Sequence, residues 1–187
     1  SNTNLTNTNL TGATLTSIKS GGIKGSNASL PEKWSLINGY LIGPTANLTD
    51  AVLADSDLTG VQSGGINGPI ISLPKNWSLE KGYLIGPGAN LTGAQLNEVT
   101  LRSEVLTNVN LTNANLTRAS MRGSNLSDAN LKGAKLVKAD LTEVVLTGAD
   151  LSNADLTDAD LSNVNLTETT LSGVRSGKIK GSNISLP

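Results

Sequence analysis

Four aromatic residues and a scatter of carboxylates are the side chains with chemistry to offer in a chain that contains no His, Cys or Phe. Without His or Cys no Ser–His or Cys–His pair can be assembled, and nothing specifies a Ser–Lys or paired-carboxylate scheme. Neither a phosphate-binding loop nor a metal-ligand spacing occurs. The expectation is a non-enzymatic protein with no catalytic residue, no cofactor and no metal. The aromatics are Trp34, Tyr40, Trp77 and Tyr83. Exposed in a row they would bind sugar rings or a protein partner; turned inward they would staple their segments to the body of the protein. Asp140 and Asp160 are equivalent positions of units twenty residues apart, which places them on one surface at about the 4.8 Å spacing of paired strands. A stacked pair brings a cation to mind, but hard cations take six or more oxygens. Asp standing in for Asn at an outward position is the simpler reading.

What positions these residues is a repeat. From 89 to 173 the chain reads as seventeen consecutive five-residue units of the form A-N/D-L-x-x, centred on Leu91 and every fifth residue to Leu171, with Met121 the one centre that is not Leu. Two residues before each centre stands a small or β-branched residue, mostly Ala. A helix advances about 140° over five residues, so a leucine stripe of this period leaves no dry face. Apolar residues two apart share a face of a strand. Each unit is therefore expected to be a very short strand, followed by a corner built from Gly, Thr, Ser, Asn or Asp. Repeated corners stack units that cannot bury their apolar faces alone. Glu104 breaks the rule by occupying an inward small position, where an unpaired charge is costly; Ser124 follows it in the same column, then Val144 and Val164. Either Glu104 bonds toward Ser124 or a backbone amide, or the chain is distorted there.

Runs such as GADLSNADLTDADL (148–161) resemble the pentapeptide-repeat family. The resemblance covers 89–173, 46–60 and about 3–17. It implies an all-β fold, a right-handed, four-sided parallel β-helix or solenoid of about twenty residues per coil, with the centre Leu and the small residue before it filling the interior. It also implies one sharper function, since some members imitate double-stranded DNA and act on type II topoisomerases. That activity asks for a strongly acidic surface, and the net charge here is −1.

The chain is expected to be one repeat domain over 1–187. Residues 3–15 give the first units, and two related segments, 17–44 and 61–88, interrupt the pattern, flanking regular units at 46–60. Each carries W-S-L-x-x-G-Y-L-I-G-P, in which alternation around a Gly reads as a hairpin or tight loop. Gly21 matches Gly64, Ile23 matches Ile66, and Trp34 matches Trp77. Both interruptions are expected on one side of the prism. A third copy opens at Val174 and runs to Pro187, as though the chain were an excerpt of a longer array. Acidic residues collect between 139 and 174, a stretch without Lys or Arg, after a section bearing Arg102, Arg118, Arg122, Lys132, Lys135 and Lys138. Column geometry predicts the pairs Glu98–Arg118 and Lys138–Asp158. Near-neutral charge argues against nucleic-acid binding, and no apolar run is long enough to span a bilayer. The expected function is a scaffold or protein-binding surface for an unknown protein partner, with DNA mimicry and a carbohydrate-binding surface as alternatives. Open ends make end-to-end self-association an expectation, and a Cys-free, Thr- and Asn-rich surface leans toward an extracytoplasmic bacterial setting.

Overall fold

A computed structural model describes residues 3–186, so Ser1, Asn2 and Pro187 lie outside the described residues. The chain divides into two compact units, Ser1–Leu84 and Ile85–Pro187.

In the second unit the five-residue pattern dictates the backbone directly. The amide three residues after each centre bonds back to the centre's carbonyl, as in Ala94 to Leu91 at 3.0 Å and Ala114 to Leu111 at 2.9 Å. These are β-turns, and the second turn residue is commonly left-handed, with φ of 61° at Glu98, 57° at Asn113 and 60° at Asp158. Positive φ at that position is the requirement of a type II turn. The residue just before each centre forms a single parallel bridge to its equivalent twenty residues on, as in Asn90 to Asn110, Asn110 to Asn130 and Asn130 to Asp150. Each bridge uses two bonds, such as Leu91 N to Asn110 O at 2.7 Å and Asn110 N to Ala89 O at 2.9 Å. Twenty residues therefore form one layer. The interior is leucine and alanine: Leu91 through Leu161 and Ala89 through Ala159, at their five-residue spacings, are buried wherever those types occur.

Four regular strands are present among the described residues, and all lie in the interruptions. They are β1 (Ser35–Ile37), β2 (Tyr40–Ile42), β3 (Ser78–Glu80) and β4 (Tyr83–Ile85). β1 pairs antiparallel with β2 in the register Ser35 to Ile42, Leu36 to Leu41 and Ile37 to Tyr40, and β3 neighbours β4 in a second two-stranded sheet. The loops are Asn38-Gly39, at φ 47° and 80°, and Lys81-Gly82, at φ 51° and 78°. Two successive positive values define the type I′ turn, whose twist matches that of the strands it joins.

The expectation of a continuous right-handed, four-sided parallel β-helix of short strands is corrected by these elements. The only multi-residue strands among the described residues are antiparallel, and the pentapeptide runs are turns tied together by one-residue parallel bridges. The physical reason is that two of every five residues are consumed by a turn with a left-handed residue, so no strand can extend beyond a single bridging position. A spacing of two between apolar residues was a true signal of a shared face but not of a strand.

The first unit follows the same twenty-residue spacing, with bridges from Asn4 to Lys24, Asn47 to Asn67 and Val52 to Ser72. One bridge departs from it: Lys19 pairs with Asn47, an offset of 28. The surplus of eight is the length of Ser35–Ile42, the whole of hairpin β1–β2. An interruption is thus one twenty-residue layer with an eight-residue hairpin inserted. Removing eight from the 43-residue module leaves 35 residues between hairpin starts, one and three-quarter layers. The two hairpins therefore leave adjacent sides, not the same side as expected.

Candidate functional site

The polar surface of the second unit is built from outward Asn and Asp residues that serve their own backbone first. Asp160 Oδ1 accepts the Ser162 amide at 3.0 Å and the Ser162 hydroxyl at 2.6 Å. Asp155 does the same with Thr157, and Asp140 Oδ1 accepts the Thr142 amide at 3.1 Å. Asx turns of this kind explain why these positions are restricted to Asn and Asp. The Ser162 hydroxyl, then its amide, holds the Asp160 carboxyl below the ordinary carboxylate value, with Lys180 adding to the effect. Ser152 and Thr157 lower Asp150 and Asp155 in the same way.

Asp140 and Asp160 are bridge partners in one column, which continues from Ser120 below to Lys180 above. Beside them Lys138 and Asp158 occupy left-handed turn positions, both at φ 60°. These five residues, with Ala139, line an open cleft of about 400 Å³. Three carboxylates and two ammonium groups share it, so its character is mixed in charge. The donor set does not fit a hard cation, because Oδ1 of Asp140 and of Asp160 is already committed to a turn and two lysines compete for the remaining oxygens. Among the described residues no group of three or more His, Cys, Asp or Glu is placed to hold a metal ion.

The expected pair Glu98–Arg118 forms at 3.4 Å, while Lys138 and Asp158 line the cleft without an ion pair. Instead Arg122 pairs with Glu143 at 3.1 Å, Lys132 with Asp150 at 3.0 Å and Arg175 with Asp155 at 3.8 Å. The acidic section is thereby partly neutralised by its neighbours.

At Glu104 the turn differs from the others between Leu91 and Leu171. The bond from residue 104 to the Leu101 carbonyl is absent, and the fully buried Ser124 hydroxyl stands in its place. Ser124 Oγ accepts the Glu104 amide at 3.3 Å and donates to the Leu101 carbonyl. Residue 104 is half-buried, where its column neighbours Val144 and Val164 are buried.

The aromatics are half-buried. Trp34, Tyr40 and Trp77 pack against the apolar cluster of Ile42, Leu48, Leu53, Leu58 and their neighbours. Gly43 lies under the Trp34 indole, where a Cβ would come within 2.8 Å of Cε2 and Cε3. The Tyr40 hydroxyl accepts the Val52 amide at 3.3 Å. Both hairpins are seated alike: Leu41 N donates to Ser20 Oγ at 2.8 Å, and Leu84 N to Ser63 Oγ at 2.9 Å. Sequence reasoning passed over these two serines, although their recurrence 43 residues apart was available as a signal. It also passed over Lys180, which stands where the leucine pattern has lapsed.

Such a molecule, layered by five-residue units with polar columns outside, is a repeat protein of the pentapeptide class. The family model for pentapeptide repeats matches in eight copies that together span 89–173. The chain belongs to the pentapeptide-repeat family. It is similar to HetL of the cyanobacterium Nostoc sp. strain PCC 7120, a protein involved in heterocyst differentiation regulation, at 25% identity over 98% of this chain and 86% of that one, with a TM-score of 0.47. A second pentapeptide-repeat protein of Nostoc PCC 7120 is 31% identical over 47% of this chain and 80% of its own, with a TM-score of 0.43. A third, from the Arabidopsis thaliana thylakoid lumen, is 29% identical over 46% of this chain, with a TM-score of 0.44, and the chain spans 59% of its length. No curated protein matches the sequence. Among the described residues no helix is long and apolar enough to cross a membrane.

Proposed function

We propose that the protein is a non-enzymatic scaffold that presents the mixed-charge cleft of Lys138, Asp140, Asp158, Asp160 and Lys180 to a protein partner. The observation that carries the reading is the engagement of the acids: Asp160 is held as a carboxylate by Ser162, so it is fitted to ion pairing and not to donating a proton. Two lysines and three aspartates on one face suit a polypeptide surface that alternates in charge, and fit poorly to a uniformly charged polymer. DNA mimicry has less support, because Glu143, Asp150 and Asp155 are each answered by a cation. A carbohydrate platform has less support as well, because Trp34, Tyr40 and Trp77 are packed on the interior cluster. An extracytoplasmic setting belongs to the same proposal and rests on the Cys-free, weakly charged composition.

The test is site-directed photo-crosslinking from position 158 in the organism's own extract. Crosslinks to one partner that vanish in a Lys138→Glu, Lys180→Glu variant support the cleft. Crosslinking that persists unchanged in that variant, or inhibition of a type II topoisomerase by stoichiometric protein, refutes it.

A further inference from the structure

The two hairpins are held by a seat with a recognisable sequence, Ser20-Gly21-Gly22-Ile23 for β1–β2 and Ser63-Gly64-Gly65-Ile66 for β3–β4. Its chemistry is the same both times. The serine hydroxyl takes the amide of Leu41 or Leu84. The isoleucine amide donates to the turn glycine's carbonyl, Ile23 to Gly39 at 3.1 Å and Ile66 to Gly82 at 3.0 Å. The first glycine makes room for a tyrosine ring, since a Cβ on Gly21 would stand 3.3 Å from Tyr40 Cε1 and one on Gly64 3.0 Å from Tyr83 Cε1.

Ser176-Gly177-Lys178-Ile179 is a third seat of this kind. Ser176 Oγ and Ile179 N have no hydrogen-bond partner among the described residues, and a Cβ on Gly177 would meet only the Thr157 side chain, at 3.8 Å and 3.9 Å. Beside it opens an apolar cavity of about 290 Å³, walled by Leu156, Leu161, Leu166, Leu171, Val174 and Ile179. The equivalent cavity at the first seat, about 250 Å³ with Leu5, Leu10, Leu15, Ile18 and Ile23, has Leu41 of the docked hairpin in its wall. The open donor, the open acceptor, the bare glycine and the apolar hollow are the four features that the seated hairpins use. Lys178, in place of Gly22 and Gly65, already holds the left-handed φ of 57° that the seat requires.

We propose that the seat at 176–179 docks a β-hairpin of the type W-S-L-x-x-G-Y-L-I-G-P carried by a separate partner polypeptide. The Leu of that hairpin donates its amide to Ser176 Oγ and enters the cavity, the Tyr ring covers Gly177, and the turn glycine's carbonyl takes the Ile179 amide. The seat shares no residue with the Asp140–Asp160 cleft, so its failure leaves the scaffold reading of that cleft standing.

The probe is a fluorescein-labelled, head-to-tail cyclised peptide of residues 33–44, closed because an isolated hairpin is marginal in water. It is titrated against the full chain by anisotropy. Saturable binding is expected with a Kd on the order of 10–100 µM, given two hydrogen bonds and two buried side chains against the cost of association. Ser176→Ala should weaken it about fivefold, the equivalent of one net hydrogen bond. Gly177→Val should abolish it without unfolding the chain, because only the Tyr ring needs that space, and a peptide lacking the Tyr ring should not bind. Binding no tighter than a scrambled peptide overturns the proposal, as does binding indifferent to Gly177→Val. Self-association that Gly177→Val dissolves and the peptide cannot displace overturns it too, because the cavity then belongs to a second copy of the chain.

Discussion

Gly43→Ala should destabilise the protein by about 2–3 kcal/mol, through one added methyl group. Gly43 is not in the left-handed region, so the substitution carries no backbone penalty. Its cost is steric: the new Cβ falls within 2.8 Å of Trp34 Cε2 and Cε3, closer than carbon atoms approach. If the indole stays, overpacking costs roughly 1–3 kcal/mol. If it swings out, a half-buried Trp loses about 100 Å² of contact, worth about 2.5 kcal/mol at 25 cal/mol per Å². The assay is urea unfolding by circular dichroism, with fluorescence and acrylamide quenching in a Trp77→Phe background so that Trp34 alone reports. Gly12→Ala is the control, since Gly12 has nothing within 4 Å of a Cβ and no positive φ. The expected result is a lowered midpoint with red-shifted, more readily quenched emission for Gly43→Ala. Stability within about 0.5 kcal/mol of the control, the usual range for neutral surface changes, together with unchanged emission, would refute the packing of Trp34 on Gly43.

Gly39→Ala places a side chain at φ 80° and 3.2 Å from the amide nitrogens of Gly22 and Ile23, and should cost about 1–3 kcal/mol; Asn38→Gly, at φ 47°, should change stability by less than about 1 kcal/mol. Denaturant midpoints that do not separate the two would show that the β1–β2 turn is not seated as described. Ser124→Ala leaves the Glu104 amide and Leu101 carbonyl without the hydroxyl that links them, a loss of about 1–3 kcal/mol. Adding Glu104→Ala should return at least half of it by letting the ordinary turn close, and additive losses in the double variant would contradict that coupling. Acidification gives a fourth test: Asp150, Asp155 and Asp160 have folded values below 3.8, so their stabilisation is complete above that value and is lost as pH falls through the lowered folded values. Thermal melts should be flat from pH 7 to about 5 and drop below pH 3.8, with the drop reduced when Ser162 and Thr157 are replaced by Ala.

Much of the interior was readable because composition and period agree. Leu at one position and Ala two before it can be buried together only if both face inward, and the buried residues follow that pattern from Ala89 to Leu166. The twenty-residue column was readable for the same reason, which is how Asp140 came to be placed beside Asp160. Strand content was not, because a shared face and a strand give the same apolar spacing and only the left-handed turn residues distinguish them. Those residues are Glu98, Arg118, Lys138 and Asp158 as often as Gly or Asn, and nothing in their chemistry announces positive φ. The hairpin turn was better marked, by Asn38-Gly39. The side on which it leaves was misjudged because the interruption was treated as one segment of 28 residues instead of a layer of twenty with an insertion of eight.

That division into twenty and eight explains why an insertion can recur in such a regular chain. A hairpin with a two-residue loop begins and ends at one place, Ser35 being directly opposite Ile42 and so about 5 Å from it. Inserting it displaces no later residue from its column, provided the flanking chain resumes the five-residue phase. It does: Asn4 and Asn90 are 86 residues apart, and subtracting two hairpins of eight leaves 70, a multiple of five. The first layer gives up a leucine for this, since Gly43 stands where a centre residue would be, and the hairpin returns apolar surface through Leu41, Ile42 and the half-buried Trp34. The trade works only where the layer carries the matching seat, a hydroxyl acceptor, a bare glycine and a free isoleucine amide. Because the seat and the hairpin are separate stretches of sequence, either can exist without the other, and 176–179 is a seat of that kind in the second unit.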